Sequence, residues 1–407
     1  TGNSDIGGGF NDDPLWLVLS VSAYIRETGD LAFLDAPVVF EDAPDGGATM
    51  RDHLEASLEY TLSRLGQHDL PLIGRADWND CLNLNAHSTD PDESFQTGPM
   101  RSSGRAESIM IGALFVLAAR DFATLATASG DATAAAKYRT ASDDMTAAIV
   151  EDGWDGRWFL RAYDHFGQPV GSHRNRAGQI FLEPQALCAM AGIGASTGFI
   201  DKALQSVAER LASKFGVQLL DPPYRDYHVE LGEISTYLPG YKENGAVFCH
   251  TNPWLIIAET MRGRADLAMQ YLRAIAPTYQ SDPDTRRTEP YVYAQMVAGV
   301  RAAKPGEAKN SWLTGCASWS HVTVTQYILG MRAGLAGLIV DPCIPREWPS
   351  FTVRRQFRGA TYEIECLNPR GLSRGVRKLL VDGQHVAGNV IPLAPSGTTV
   401  RVRVELG

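Results

Sequence analysis

The chain has 407 residues, 44% of them apolar and 21% charged, and carries a formal net charge of −10. This is the make-up of a globular protein too long for one small core, with two or three domains expected from length unless one large helical unit takes up most of it. The acidic balance argues against a nucleic-acid partner, which would want a basic face, and is compatible with a neutral substrate such as a sugar. No apolar run is expected to meet the roughly 18 residues of a membrane span.

The opening "TGNSDIGGGFNDDPLW" lacks an initiator Met and a signal-peptide pattern, and reads like the middle of something longer. The first predicted helix is "DDPLWLVLSVSAYIRETGD", with an Asp cap, Pro14 in the first turn and a stop at Thr28-Gly29. Residues 52–65, 107–128 and 131–150 read as three more helices. The second of these is apolar nearly all round, so it is expected to be buried. Further helices fit 185–192, 200–214, 253–262, 264–275, 290–302 and 318–330, about ten in all. After about residue 336 the pattern changes. "SFTVRRQFRGATYEIECLN" is β-branched and aromatic, "KLLVDGQHV" holds an Asp-Gly hairpin signal, and "TTVRVRVEL" alternates at period two. The expectation is a mainly α protein: a helical domain over 1–335 and a small antiparallel β module over 336–407.

Six cysteines, at 81, 188, 249, 316, 343 and 366, lie far apart with no CxxC pair, which suits free thiols in a reducing cytoplasm. The nine histidines are scattered and no HExxH occurs, so no metal site is expected.

Polar and aromatic residues concentrate in four interhelical stretches: 73–85, 226–254, 289–295 and 309–321. In "GRADWNDCLNLN", Asp77 and Asp80 flank Trp78. A carboxyl with a raised pKa serves as proton donor to a glycosidic oxygen, and a tryptophan offers a stacking face. The same letters also serve as a helix cap. "YLPGYKENGAVFCHTNPW" places Lys242, Glu243, Asn244 and His250 close together. His250 falls near a helix start, where anions bind well, or is an ordinary cap. Thr314-Gly315 of "NSWLTGCASW" is an oxyanion cradle or a plain cap. Glu289 and Gln295 of "TEPYVYAQM" are polar groups among what could be core aromatics.

Taken together, "GGGFNDDPLWL", "LPLIGRADWNDCLNLN", "ESFQTG", "ELGEISTYLPGYKENGAVFCHTNPW", "EPYVYAQM" and "GEAKNSWLTGCASW" resemble the inverting disaccharide phosphorylases of glycoside hydrolase family 94. The resemblance implies an (α/α)6 barrel followed by a β module. It places the family's N-terminal β-sandwich, linker helices and first barrel helices outside this chain. It implies phosphorolysis of cellobiose to α-glucose 1-phosphate and glucose, or of another β-linked disaccharide such as chitobiose, laminaribiose or cellobionate. Asp80 takes the general-acid role. His250, Gln295, Thr314 and Gly315 match the phosphate site, and His250 is expected to hold the anion best when protonated. Trp78 matches the donor-sugar site; Glu233, Tyr237 and Lys242 match the acceptor site. Cys316 stands where close relatives are expected to have Thr. No metal or cofactor is implied, phosphate being a substrate. A homodimer is expected, with a companion polypeptide where the N-terminal part is separate; without it the chain is expected to be an inactive fragment.

Overall fold

The computed structural model describes residues 9–41, 46–93, 100, 103–280 and 284–407. The "ESFQTG" stretch therefore lies mostly outside the described residues. Nine α-helices occur among the described residues: α1 Asp13–Thr28, α2 Met50–Leu62, α3 Ile109–Ala128, α4 Ala132–Asp152, α5 Leu182–Met190, α6 Phe199–Arg210, α7 Thr251–Met261, α8 Ala265–Ile275 and α9 Cys316–Val322. Their limits follow from local chemistry. Pro14 sits in the first turn of α1, and Gly29, at φ 78°, closes it by donating its N–H to the Ile25 carbonyl. Thr49 and Asp52 form a reciprocal capping box on α2. The Ser108 hydroxyl accepts from the Ile111 N–H at the start of α3.

The odd-numbered helices pack in sequence, α1 on α3, α3 on α5, α5 on α7 and α7 on α9. The even-numbered helices back them: α2 on α1, α4 on α3, α6 on α5 and α8 on α7. Trp16 of α1 reaches Trp319 of α9 at 6.2 Å, bringing the ends of this inner row together. Core residues such as Leu15, Val18, Leu114 and Phe115 are fully buried between the layers, each stabilising the fold by about 1.5–3 kcal/mol. Helix α3 corrects one expectation. Its apolar window (mean hydropathy 1.8) is long enough to cross a membrane, yet 78% of that window is buried inside the protein, as a core helix requires.

Strands β1 Val247–Phe248, β2 Ala294–Val297 and β3 Ala308–Ser311 form a three-stranded antiparallel sheet beside the helices. The helix expected over 290–302 is therefore absent: Ala294–Val297 pairs as β2, just after the aromatic and β-branched run Tyr291–Tyr293. The C-terminal part holds β4 Met331–Ala333, β5 Gly337–Val340, β6 Ser350–Phe357, β7 Ala360–Leu367, β8 Val376–Val381, β9 Gln384–Val386, β10 Val390–Pro392 and β11 Thr399–Leu406. One sheet runs β4-β5-β10 and a second runs β6-β7-β11-β8-β9. The β8–β9 turn has Asp382 and Gly383 at φ 47° and 81°, the left-handed pair an Asp-Gly hairpin needs. The expected all-antiparallel module is corrected at one place, since β7 and β11 pair in parallel. Alternation along β11 buries Val400, Val402, Val404 and Leu406. Residues from these sheets make a hydrophobic cluster of their own around Tyr362, Ile364 and Leu379.

Candidate active site

Asp77 to Asp80 form a non-helical turn, so the two acids do not share a helix face. They point to different surroundings. Asp77 is 1% exposed. Arg161 donates to both its oxygens at 2.6 and 2.8 Å, and the Ser108 hydroxyl donates at 2.8 Å. Arg161 is itself fully buried, with Glu183 on its other side at 3.5 Å. Burial works against the guanidinium charge, and Asp77 and Glu183 more than offset it. The Asn79 N–H donates to Asp77 at 3.1 Å and the Asn83 amide donates to the Asp80 carbonyl at 2.7 Å. The turn is thus anchored at both ends, and the Asp80 side chain is left to face open space.

That space is a cavity of ≈ 370 Å³ walled by Trp78, Asp80, Tyr237, Lys242, Glu243, His250, Gln295, Thr314 and Gly315, among others. Asp80 is open to the cavity yet crowded by its walls. This desolvation raises its carboxyl above the ordinary range, and the Asp77 charge adds to the effect while Lys242 opposes it. His250 precedes α7 but makes no side-chain cap. Its ring lies edge-on to Trp78 at 5.2 Å and near Trp254 at 5.1 Å. Burial drives the His250 imidazole down to about 4, which favours its neutral form. Gly315 sits against this ring: a Cβ there would come within 2.8 Å of the imidazole Cε1. Behind Gly315, α9 runs on into a π-helical turn at Thr323–Ile328.

Tyr237 and Lys242 reach the cavity wall, but Glu233 is not among its lining residues. It stands behind Tyr237, whose hydroxyl donates to it at 2.6 Å. Lys242 makes no direct ion pair with Glu243; its ammonium donates to the side-chain Oε1 of Gln295 at 3.2 Å. Glu243 is buried and its carboxyl is pushed up to about 7, first by desolvation. Cys316 is fully buried against Ser320, and burial lifts its thiol to about 12, which makes it packing rather than a nucleophile.

A second cavity, of ≈ 400 Å³, shares Trp78, Asp80 and His250 with the first and adds Phe10, Asp12, Asp13, Trp16, Asp77 and Trp319. Apart from Asp77, sequence reasoning missed these residues. Asp12 was expected to cap α1, but it makes no capping bond. One of its oxygens accepts from the Trp16 indole N–H at 2.8 Å, and the other is buried without a partner. Desolvation, reinforced by Asp77, pushes Asp12 up to about 7. The one signal for this role was the "NDD" before Pro14, two acids where a cap needs only one.

A carboxyl with a raised pKa, a tryptophan wall and a donor-rich end, set on loops and a strand beside packed helices, have the geometry of a carbohydrate-active catalytic domain. The chain belongs to the glycosyl hydrolase 94 superfamily, whose catalytic-domain model matches residues 2–330. It is 36% identical over 401 residues to an N,N'-diacetylchitobiose phosphorylase of Vibrio furnissii, covering 98% of this chain and 47% of that protein. It is 33% identical over 401 residues to a solabiose phosphorylase of Paenibacillus borealis, covering 98% of this chain and 50% of the other. A cellobionic acid phosphorylase of Neurospora crassa is 26% identical over 359 residues, with 87% and 43% covered. The chain thus spans about half the length of the curated relatives it matches. Among solved structures, a sialidase superposes with a TM-score of 0.59 at 15% identity, covering 84% of this chain and 28% of that one, a likeness of fold alone.

Proposed function

We propose that this chain is the catalytic portion of an inverting phosphorylase that splits a β-linked disaccharide with inorganic phosphate. The observation that carries the proposal is one cavity holding both Asp80 and the set His250, Gln295, Thr314 and Gly315. Asp80, raised by its surroundings, holds a proton for the bridging oxygen. An oxygen of hydrogenphosphate attacks the anomeric carbon from the opposite face. The carbon–oxygen bond breaks, its electron pair goes to the bridging oxygen, and that oxygen takes the Asp80 proton. The proton that phosphate sheds on becoming a sugar phosphate replaces the one spent. Phosphate is already an anion, so it needs no base carboxylate; it needs fixed donors around its oxygens. Neutral His250 supplies one N–H, with the Gln295 amide, the Thr314 hydroxyl and the Gly315 backbone N–H. Trp78 faces the donor sugar. Tyr237 and Lys242 meet the acceptor, with Glu233 orienting Tyr237 through its hydroxyl.

The packing of odd on even helices supports an (α/α)6 barrel, completed by helices supplied outside the described residues. The reading needs no metal or organic cofactor, phosphate being a substrate. It includes a cytoplasmic home for the six free cysteines, a homodimer, and an N-terminal portion carried by the same or a companion chain. Cellobiose is the disaccharide suggested by the motifs. The relatives named above act on other disaccharides, so the acceptor is the part to test by panel.

Hydrolysis is the second reading, and Asp13 favours it: a further carboxylate lines the cavity that Asp80 also faces. A hydrolase would use such a group to activate water. Disaccharide cleavage measured with and without inorganic phosphate separates the two readings, since a hydrolase would also need Asp80 as its acid. The general-acid role itself is tested by Asp80→Asn in the natural protein that carries this chain. Phosphorolysis is expected to fall by at least about 10²-fold, the scale of a lost general acid. A variant that keeps most of its rate would remove Asp80 from the role.

A further inference from the structure

The amide of Gln295 can present either its oxygen or its nitrogen to the cavity, and only the nitrogen donates to an anion. Two neighbours decide the matter. The Lys242 ammonium, which has no acceptor capacity, donates to Gln295 Oε1 at 3.2 Å. The Asn310 side chain donates its Nδ2 to the same oxygen at 2.8 Å. With Oε1 held twice, Nε2 is the end left for the cavity that Gln295 lines with His250, Thr314 and Gly315. The Gln295 backbone is fixed as well, since its carbonyl accepts from the Cys249 N–H at 2.9 Å, next to His250.

Asn310 reaches Gln295 because the β2–β3 ladder is broken there. Ala308, Lys309 and Ser311 face Val297, Met296 and Ala294, and the rung between Asn310 and Gln295 is skipped. Asn310 adopts φ 60°, a left-handed conformation that asparagine tolerates better than most side chains. Lys242 is left-handed as well, at φ 49°. Backbone held in such regions is kept when the surroundings over-determine it, often at ligand sites. Asn310 is not itself among the residues walling the cavity.

We propose that Asn310 is a positioning residue: it locks the Gln295 amide so that its N–H donors meet the phosphate. The inference rests on the phosphate-binding reading of this cavity given above. Its test is a steady-state series in the natural protein that carries this chain. Asn310→Ala raises the phosphate KM about five- to tenfold, the worth of one net hydrogen bond, while the disaccharide KM and kcat stay within about twofold. Asn310→Gly does the same, because it keeps the left-handed backbone and removes only the side chain. Asn310→Asp is worse than either. Its carboxylate cannot donate, so it draws Nε2 toward itself and turns Oε1 to the anion. In a Gln295→Ala background, Asn310→Ala adds nothing further. The inference is overturned by an unchanged phosphate KM in Asn310→Ala, by equal rises in both substrates' KM, or by a full additional loss in the Gln295→Ala background. Wild-type protein that consumes disaccharide at full rate without phosphate defeats the underlying functional reading instead. Wild-type phosphorolysis that is indifferent to Asn310 defeats only this inference.

Discussion

His250 is packed among Trp78, Trp254 and Gly315, and burial holds it near a pKa of about 4. A lowered pKa means that the charged form is disfavoured, so the free site offers a neutral imidazole with one N–H from about pH 6 to pH 8, where an ordinary histidine would titrate. If the ring stays neutral beside phosphate as well, its contribution to phosphate binding is independent of pH over that window. Expressed as the ratio of phosphate KM between His250→Gln and wild type, it is expected to stay flat. A ratio that is large at about pH 6 and vanishes by about pH 8 would show instead that the imidazolium does the binding. In the sequence His250 was visible as a polar residue ahead of a helix, but its charge state was not. That state depends on aromatic rings from residues 78 and 254 and on the missing Cβ of residue 315, which meet only in the fold. Asp12 was misread for a related reason. A carboxylate before Pro14 looks the same in sequence whether it caps a helix or turns into a cavity.

The turn carrying Asp80 owes its shape to Arg161, a residue 81 positions away with no local signal of importance. Removing the guanidinium would leave Asp77 and Glu183 buried without their cation. Arg161→Met is expected to cost about 3–5 kcal/mol of stability. Denaturant unfolding reads this directly, and a loss under about 1 kcal/mol would mean that the network is not what holds the turn. The main helices from α1 to α8 were legible because their apolar spacing and caps are local features. The segment 290–302 was not, because Pro290 and the following aromatics fit either a helix start or a strand. Pairing with Val247–Phe248 and Ala308–Ser311 decided it. The parallel β7–β11 pairing was likewise invisible, since alternation along a strand says which face is buried but not which neighbour it takes.

At the scale of the whole molecule, loops far apart in sequence converge on two joined cavities, with acids Asp12, Asp13, Asp77 and Asp80 at one end and hydrogen-bond donors at the other. The grouping of Trp78, Asp80, His250, Gln295, Thr314 and Gly315 was anticipated by family resemblance; spacing alone left a plain helix cap standing as an alternative for several of them. The far wall formed by Phe10, Asp12, Trp16 and Trp319 came only with the packing of α1 against α9. Such a polarised site fits a reaction in which one end yields a proton and the other steadies an attacking anion. The decisive measurement is to follow the first product by NMR while the natural protein that carries this chain acts on a panel of disaccharides, including cellobiose and N,N'-diacetylchitobiose, with and without inorganic phosphate. The account predicts an α-configured sugar 1-phosphate, formed only when phosphate is present. Release of free sugar from both halves at the same rate in phosphate-free buffer would contradict it.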